Sequence, residues 1–132
     1  MNPRSVVASI AGYLPERVMT NAELTKLVDT SDEWIIERTG IRQRHIARPD
    51  EATSDVTLPA CERALAKAGL DAGEIDLLVV ATSTPDLTFP ATAAIVQQKL
   101  GMHHGAAFDI QAVCSGFVYG VVTADAYLKK GI

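Results

Sequence analysis

A nearly continuous apolar run, Ile75–Ala81 (IDLLVVA), constrains the fold of this chain more than any other feature. A run this short and this apolar is typical of a strand that is covered on both faces, as in parallel sheets. Strand and helix patterns alternate along the rest of the chain. This alternation predicts an α/β fold, with a mainly parallel sheet and helices on both of its faces.

Three further strands are predicted from local patterns. Ser5–Ala11 is apolar and β-branched, and Ala106–Ile110 is a second short apolar run. Ile41–Ile46 alternates apolar and polar residues, which predicts a strand with one solvated face. The stretch Thr82–Phe89 is predicted to be a loop that follows the central strand.

The helices are predicted from the residue types that start and stop them. The predicted helices are Ala22–Val28 with Asn21 as N-cap, a helix from Thr30 (N-cap, with Glu33 completing a capping box) to Gly40, a long helix from Thr53 or Ser54 to Gly69, Ala91–Leu100 with Pro90 at its first position and Gly101 at its end, and a helix from Cys114 or Ser115 to Lys130.

Length and charge limit the function classes. The chain has 132 residues, 48% of them apolar, which is enough for a buried core. Its net charge of −4 gives it no general attraction for nucleic acid or for a membrane surface, so we expect neither as a partner. Two cysteines cannot build a disulfide framework, and we find neither a signal peptide nor a membrane-spanning run. The protein is therefore predicted to be cytoplasmic.

Cys114 follows the last predicted strand and opens the last predicted helix. Helix N-termini carry unpaired N–H groups and partial positive charge, which stabilise a thiolate. Ligands also bind at the carboxyl ends of strands in α/β sheets. The small residues Ala112, Ser115 and Gly116 leave room for a substrate. We therefore predict that Cys114 is a reactive thiol, whereas Cys61, inside a helical pattern, is structural.

Trp34 and Arg38 are four residues apart, so they share one face of the predicted helix. An indole can stack on a purine base, and a guanidinium can bind phosphate with fixed geometry. The pair is therefore compatible with coenzyme A. The alternative is a core tryptophan beside a solvated arginine, because exposed charges are the norm.

Three stretches together resemble β-ketoacyl-acyl carrier protein synthase III, a condensing enzyme with the thiolase fold. They are Asn21-Ala22-Glu23-Leu24, Asp29–Arg44 (DTSDEWIIERTGIRQR) and Ala107–Tyr119, which contains AVCSG. The resemblance extends from the first predicted strand to the last predicted helix. It implies that residues 1–132 are the nucleophile-bearing N-terminal half of a layered αβαβα fold, and that the C-terminal half lies outside this chain.

The resemblance also implies a reaction. Cys114 would take an acyl primer, usually acetyl, from coenzyme A, and malonyl-acyl carrier protein would then lose carbon dioxide and attack the thioester. The product is a 3-ketoacyl carrier protein, the first elongated intermediate of type II fatty acid synthesis. Acyl-coenzyme A is a substrate in this scheme, so no cofactor is expected. The full-length enzyme is expected to be a homodimer.

The resemblance assigns roles to individual residues. Trp34 stacks on the adenine of coenzyme A, Arg38 lies in the coenzyme A site, and Thr30 borders the nucleotide, a role that competes with its predicted capping. Phe89 lines the primer pocket across the dimer interface, for which ordinary packing is the alternative. The backbone N–H of Cys114 belongs to the oxyanion hole.

The catalytic His and Asn of the family have no matching segment in this sequence. His103 and His104 follow Gly101 in a predicted loop and match no catalytic motif, so they are predicted to be solvated, and His45 is predicted to face solvent on its strand. No pair of histidines has metal-ligand spacing, so no metal site is expected. We therefore expect this chain alone to be inactive in condensation.

Arg42, Arg44 and Arg48 add local positive charge that could meet an acidic acyl carrier protein, but the pattern favours the solvated face of a strand. Two alternatives to the leading function stay open. One is a related acyltransferase or ketosynthase of a polyketide or quinolone pathway. The other is a non-catalytic, thiol-bearing domain that binds an acyl carrier.

Overall fold

The computed structural model describes residues 5–131. Its strands are β1 (Arg17–Thr20), β2 (Gln43–Ile46), β3 (Leu77–Ala81) and β4 (Ala106–Ile110), and its helices are α1 (Asn21–Leu24), α2 (Asp32–Thr39), α3 (Thr53–Ala68), α4 (Thr92–Leu100) and α5 (Gly116–Lys130). Single 3₁₀ turns lie at Ala72–Glu74 and Val113–Ser115. The chain forms two compact units, a smaller unit made of Leu14–Glu51 and a larger unit made of the remaining described residues.

The larger unit is built on a parallel pair of strands. β3 and β4 are paired so that Leu77 lies opposite Ala106 and Ala81 lies opposite Ile110. Parallel strands need a crossover connection, which α4 supplies here. Strand β4 has the bounds that the sequence predicted, and β3 begins two residues later than predicted, at Leu77.

Helices α4 and α5 cover opposite faces of this strand pair. On β4, the Asp109 carboxylate accepts hydrogen bonds from the first residues of α4. The neighbouring Phe108 packs its ring against Tyr127 of α5, with ring centroids 5.9 Å apart. Successive side chains of a strand point to opposite faces, so the two helices lie on opposite sides. This arrangement confirms the predicted α/β architecture.

The core of the larger unit lies between the strands and α4. Val80, Ala93, Val96 and Met102 are buried there. The other residues of β3 are only half-buried or exposed, so the predicted burial of this strand on both faces is incomplete. The reason is an open apolar groove of about 510 Å³ beside α5. Its lining includes Leu77, Val79, Phe117, Gly120, Val121 and Ala124.

The prediction of a strand at Ser5–Ala11 is wrong. This segment contacts helices through side chains: Ser5 Oγ donates to Asp125 Oδ1 at 2.7 Å, and Ser9 Oγ donates to the Ala64 carbonyl at 2.8 Å. Its valines and Ile10 remain exposed. A β-branched run becomes a strand only where a neighbouring strand offers ladder partners, and no such pairing is formed by this segment.

The smaller unit contains the antiparallel pair β1–β2 with α1 and α2. Arg17 lies opposite Ile46, and Thr20 lies opposite Gln43. Strand β1 was not predicted because four residues with two polar members carry no clear period. Ile35 of α2 is the buried apolar side chain of this unit.

The predicted ends of α2, α3, α4 and α5 are confirmed, whereas the predicted starts of α1 and α2 are displaced by one residue. Thr20, not Asn21, caps α1: its Oγ1 accepts from Glu23 N, and the Glu23 carboxylate accepts from Thr20 N. The hydrogen bonds that the Glu23 carboxylate accepts from Thr20 N and from Thr20 Oγ1 lower the pKa of Glu23. Helix α1 ends at Leu24, earlier than predicted. Ser31, not Thr30, caps α2, because its Oγ accepts from Trp34 N at 3.1 Å.

Helices α3 and α4 also begin away from their predicted caps. The N-cap of α3 is Ala52, whose N–H donates to the Asp55 carboxylate at 2.9 Å, so neither Thr53 nor Ser54 serves as cap. The N-cap of α4 is Ala91, so Pro90 lies before the helix instead of at its first position. At both helix starts a main-chain N–H is bound by a distant carboxylate, Ser54 N by Asp86 and Thr92 N by Asp109, which a local motif does not contain.

Candidate active site

Cys114 lies in the 3₁₀ turn Val113–Ser115, between the end of β4 and the start of α5. Ser115 N donates to the Ala112 carbonyl at 2.9 Å, and Gly116 N donates to the Val113 carbonyl. The α-helix proper therefore begins at Gly116, after the predicted start at Cys114 or Ser115. The Cys114 side chain is exposed, as a thiol that reacts with an external substrate must be.

The residue before the thiol has a strained backbone. Val113 has a φ of +46°, a left-handed conformation that a β-branched residue rarely adopts. Such a conformation costs about 1–3 kcal/mol and tends to occur at functional sites. Here it turns the chain sharply between β4 and α5, at the point where the thiol is presented.

Gly116 brings this turn close to the end of β3. The glycine is buried, and a Cβ placed on it would lie 3.2 Å from the Cβ of Ala81, the last residue of β3. The thiol turn therefore lies at the carboxyl ends of both parallel strands. This is the edge where ligands bind in α/β sheets.

Phe89 lies in the loop between β3 and α4. Thr82 N, at the beginning of this loop, donates to the Ile110 carbonyl at 3.1 Å, so the loop and the thiol turn start from the same edge of the sheet. The Phe89 side chain is 86% exposed. It is therefore not a core residue of this unit, and its ring is available to a ligand or to another protein surface.

Cys61 provides an internal comparison for Cys114. It lies in the middle of α3 and is half-buried. Burial raises the pKa of the Cys61 thiol above its ordinary value, and the neighbouring Glu62 carboxylate raises it further. At neutral pH this thiol is protonated and therefore a poor nucleophile. The structure thus agrees with a structural role for Cys61.

The smaller unit contains a cleft of about 490 Å³ beside α2. Trp34 and Thr30 both line it, together with Val28, Ile41 and Arg44. Hydrophobic side chains with a few polar groups are the usual lining of a small-molecule site. The cleft therefore brings together two of the residues that the sequence predicted for coenzyme A.

Trp34 and Arg38 share one exposed face of α2, as predicted. The Arg38 guanidinium carbon lies 4.8 Å from the centroid of the Trp34 ring, a cation–π geometry. The Trp34 side chain is 52% exposed, which contradicts the alternative of a core tryptophan. An aromatic surface and a cation are thus held side by side at the rim of the cleft.

Thr30 is half-buried and lines the same cleft. Because Ser31 caps α2, the Thr30 hydroxyl is not needed for capping. The displaced cap therefore removes the structural role that competed with a binding role for Thr30.

Arg44 and His45 do not belong to a solvated face, so those two predictions are wrong. Arg44 is half-buried and donates from Nη1 to Asn21 Oδ1 at 2.9 Å. His45 is half-buried and donates from Nδ1 to the Pro15 carbonyl at 2.6 Å. Both are partly covered because β2 pairs with β1 and because their side chains hydrogen-bond to Asn21 and Pro15. By contrast, Arg42 is exposed, as predicted.

Arg48 is also exposed, but neighbouring carboxylates partly neutralise its positive charge. Its Nε lies 3.2 Å from the Asp50 carboxylate, and its Nη1 lies 3.3 Å from the Glu51 carboxylate. These contacts leave little net positive charge at this position. Of the three arginines, Arg42 is therefore the one whose side chain is exposed and available to an acidic partner surface.

Asn21 has a larger structural role than the sequence predicted. It is 1% exposed, and its side-chain amide donates to Asp32 Oδ1 at 2.7 Å and to the Ile41 carbonyl at 2.9 Å. Its own oxygen accepts from Arg44. Asn21 thus fixes the start of α2 and the strand β2 around the cleft. Its presence in the family-like stretch NAEL was the available sign of this role.

His103 and His104 are exposed, as predicted, and His104 Nε2 lies 3.2 Å from the Asp76 carboxylate. Among residues 5–131, no group of three His, Cys, Asp or Glu side chains is placed to hold a metal ion. Within the same residues, no helix has both the length and the apolar character of a membrane span.

A thiol turn at the carboxyl ends of parallel strands, with helices on both faces, defines one half of a thiolase-type α/β fold. Solved structures agree. The chain matches 3-oxoacyl-[acyl-carrier-protein] synthase III from Aquifex aeolicus with a TM-score of 0.85 and 47% identity, over 93% of this chain and 41% of that one. It matches the priming β-ketosynthase of the R1128 polyketide pathway with a TM-score of 0.88 and 38% identity, over 95% and 37%.

Comparison with curated sequences gives a more specific match. The chain is 60% identical over 129 residues to β-ketoacyl-[acyl-carrier-protein] synthase III of Rhizobium rhizogenes and 61% identical over 128 residues to that of Bradyrhizobium diazoefficiens. These matches cover 98% and 97% of this chain but 40% and 39% of the relatives. No protein-family model matches the chain. The predicted resemblance to β-ketoacyl-acyl carrier protein synthase III is confirmed over the length that the chain spans.

Proposed function

We propose that this chain carries the nucleophile and the coenzyme A face of a β-ketoacyl-acyl carrier protein synthase III, an acyltransferase that initiates type II fatty acid synthesis. The observation that carries the proposal is the exposed Cys114 in a strained turn at the carboxyl ends of β3 and β4. The substrates are acyl-coenzyme A, with acetyl as the primer, and malonyl-acyl carrier protein. Both are consumed, so the reaction needs no additional cofactor.

The first step is transfer of the primer to the enzyme. The Cys114 thiolate attacks the carbonyl carbon of acetyl-coenzyme A, the new C–S bond forms, and coenzyme A leaves as its thiolate. The negative charge on the carbonyl oxygen requires pre-placed N–H donors. Ser115 and Gly116 use their N–H groups within the turn, so we propose the N–H of Cys114 itself as a donor.

The second step is condensation. Malonyl-acyl carrier protein loses carbon dioxide, the resulting carbanion attacks the acetyl thioester, and the Cys114 thiolate is released. The negative charge that develops during decarboxylation needs further donors. We propose that residues outside this chain supply them. The exposed Phe117, Val118 and Val122 of α5 support this proposal, because an apolar helix face of this size needs a cover.

Coenzyme A binding is proposed for the cleft of the smaller unit. Trp34 would stack on the adenine, Thr30 would border the nucleotide, and Arg38 would bind a phosphate. The geometry supports this assignment because the three residues lie at one cleft and its rim, with an exposed ring and an exposed cation. For Phe89, its 86% exposure supports a proposed place in the primer pocket across a homodimer interface.

Substitution of Trp34 or Arg38, the proposed coenzyme A-binding residues, should weaken substrate binding more than it slows the acyl-transfer step. We expect Trp34→Ala and Arg38→Ala in the full-length enzyme to raise the KM for acetyl-coenzyme A about 5- to 150-fold, the equivalent of one lost base stack of about 1–3 kcal/mol, with little change in kcat. Steady-state kinetics measure both constants. Arg42→Ala is the matched control because Arg42 is exposed but does not line the cleft. Unchanged KM values in both variants would contradict the assignment.

The overall proposal is tested with the full-length enzyme and a panel of acyl-coenzyme A substrates. Intact-mass measurement should show one acyl group per chain, with the acetyl adduct formed fastest. Addition of malonyl-acyl carrier protein should then discharge the adduct and yield 3-ketobutyryl carrier protein. A protein that acquires no acyl group from any substrate would contradict the proposal and favour a non-catalytic acyl-carrier-binding domain.

The similarity to the priming β-ketosynthase of the R1128 polyketide pathway favours a second candidate, a priming enzyme for polyketide synthesis. Both candidates use the same thiol and differ in primer and carrier. The same assay separates them, because a polyketide priming enzyme should prefer its own carrier protein over that of fatty acid synthesis.

A further inference from the structure

Asp109 is a charged residue inside the otherwise apolar strand β4 (AAFDI). Both of its carboxylate oxygens are bound to main-chain groups at the start of α4. Oδ2 accepts from Thr92 N and Oδ1 accepts from Ala93 N, each at 2.7 Å. Thr92 and Ala93 are both fully buried. The carboxylate therefore holds the first turn of α4 against the end of β4.

The side chain of Thr92 continues this connection into the preceding loop. Its Oγ1 accepts from Asp86 N at 3.0 Å, and the Asp86 carboxylate accepts from Ser54 N, at the start of α3, at 2.8 Å. A second link joins the Thr53 hydroxyl to the Thr84 carbonyl. The loop that carries Phe89 is thus fixed on both sides of that residue, while the Phe89 ring remains exposed.

These bonds form one chain from the strand that leads to the thiol turn to the loop that carries Phe89. Asp109 is five residues before Cys114, and Thr92 is three residues after Phe89. Simple capping of α4 would require only a local side chain. Here the cap comes from a different strand, the one that leads to the nucleophile. Any shift of α4 relative to β4 would therefore move Phe89 on the surface of its own subunit, and with it the wall that Phe89 is proposed to add to the acyl pocket across the dimer interface.

We propose that Asp109 and Thr92 are positioning residues that fix the Phe89 loop on the β3–β4 strand pair, from which Phe89 reaches across the proposed dimer interface into the acyl pocket, and that they thereby set which acyl chain lengths the enzyme accepts. This inference rests on the proposed function, because it assumes that Cys114 is acylated and that Phe89 lines the acyl pocket. Neither Asp109 nor Thr92 needs to touch the substrate. Their effect is on the space beside the reacting carbon.

The test uses the full-length enzyme and compares kcat/KM for acetyl-, hexanoyl- and octanoyl-coenzyme A. Asp109→Asn replaces one acceptor oxygen by an NH2 group, which cannot accept a hydrogen bond, so either Thr92 N or Ala93 N loses its acceptor. Thr92→Val removes the hydroxyl that Asp86 N requires. We expect each to change the acetyl-to-octanoyl ratio about tenfold or more, because a misplacement of about 1 Å can cost 10²-fold in rate. Thr92→Ser keeps the hydroxyl and should keep the ratio.

Glu74→Gln is the matched control. The Glu74 carboxylate also accepts from a main-chain N–H, that of Asp71 at 2.8 Å, but it lies before the start of β3, at the opposite end of the strand pair. It should leave the chain-length ratio unchanged even if it lowers the melting temperature. Inhibition by free coenzyme A should be the same in all variants, since that ligand is proposed to bind at the cleft lined by Trp34 and Thr30, which none of the substitutions alters.

The possible outcomes test the positioning role of Asp109 and Thr92 separately from the proposed acyl transfer. A wild-type ratio in Asp109→Asn, or an equal shift in Glu74→Gln, would overturn the positioning role and leave the acyltransferase proposal intact. If Asp109→Asn does not fold, the comparison of Thr92→Val with Thr92→Ser decides: equal ratios in these two variants would overturn the inference. A wild-type enzyme that transfers no acyl group would instead contradict the proposed function.

Discussion

The Cys114→Ala variant of the full-length enzyme is expected to lose all acyl transfer. The step requires a sulfur nucleophile, and a methyl group cannot form the acyl intermediate. The fold should be retained, because the Cys114 side chain is exposed and the turn is held by main-chain bonds of Ser115 and Gly116. Incubation with radioactive acetyl-coenzyme A, followed by denaturation and counting of protein-bound label, measures the acyl-enzyme directly.

Cys61→Ala is the control for this experiment. The Cys61 thiol is half-buried and its pKa is raised by burial, so its thiolate fraction at neutral pH is reduced. Acylation should therefore persist in Cys61→Ala. Because the pKa of Cys61 is raised, we also expect an alkylating reagent to modify this thiol more readily as the pH rises towards that pKa. Protein-bound acetyl label in Cys114→Ala would show that the nucleophile has been assigned to the wrong residue.

The second large effect is expected at Gly105, whose backbone has a φ of +87°. A Cβ on Gly105 would lie 2.4 Å from the carbonyl oxygen of Asp76, which itself accepts from Ala106 N at 2.9 Å to start the β3–β4 ladder. The alanine would thus be strained in its backbone and would push apart the two strands. We expect Gly105→Ala to destabilise the full-length protein by about 3 kcal/mol or more, as the sum of backbone strain and overpacking.

Gly101→Ala separates these two contributions. Gly101 also has a positive φ, +75°, but nothing lies within 4 Å of a Cβ placed on it. The Gly101→Ala variant should therefore lose only about 1–2 kcal/mol of its free energy of unfolding, the cost of an alanine in a left-handed conformation. Chemical denaturation monitored by circular dichroism gives the free energy of unfolding of each variant. Equal losses in the two variants would contradict the steric account of Gly105.

The agreement between the sequence-based predictions and the structure depends on how local each signal is. The glycines that end helices were predicted correctly, because a left-handed residue at a helix end is a property of that residue alone. The helix starts were displaced because several polar residues compete for the cap. At α1, Thr20 takes the cap while Asn21 turns inward to bind Asp32, Ile41 and Arg44. That choice depends on residues distant in sequence.

The strands show the same dependence. Ala106–Ile110 was predicted with its observed bounds because it is apolar and has a partner, β3, in the same unit. Ser5–Ala11 has an equally good local pattern, but its polar side chains bind α3 and α5 and it pairs with no strand. A strand pattern describes one side of a pairing. Whether the pairing forms is decided elsewhere in the chain.

Residue type, spacing and a motif were sufficient to predict the α/β class, the candidate nucleophile Cys114 and the shared face of Trp34 and Arg38. The folded structure was needed to show that Arg44 and His45 turn inward, that Thr30 lines a cleft instead of capping a helix, and that Asp109 links the thiol strand to the Phe89 loop. Each of these depends on hydrogen bonds between residues 17 or more positions apart, or on packing that no local pattern encodes.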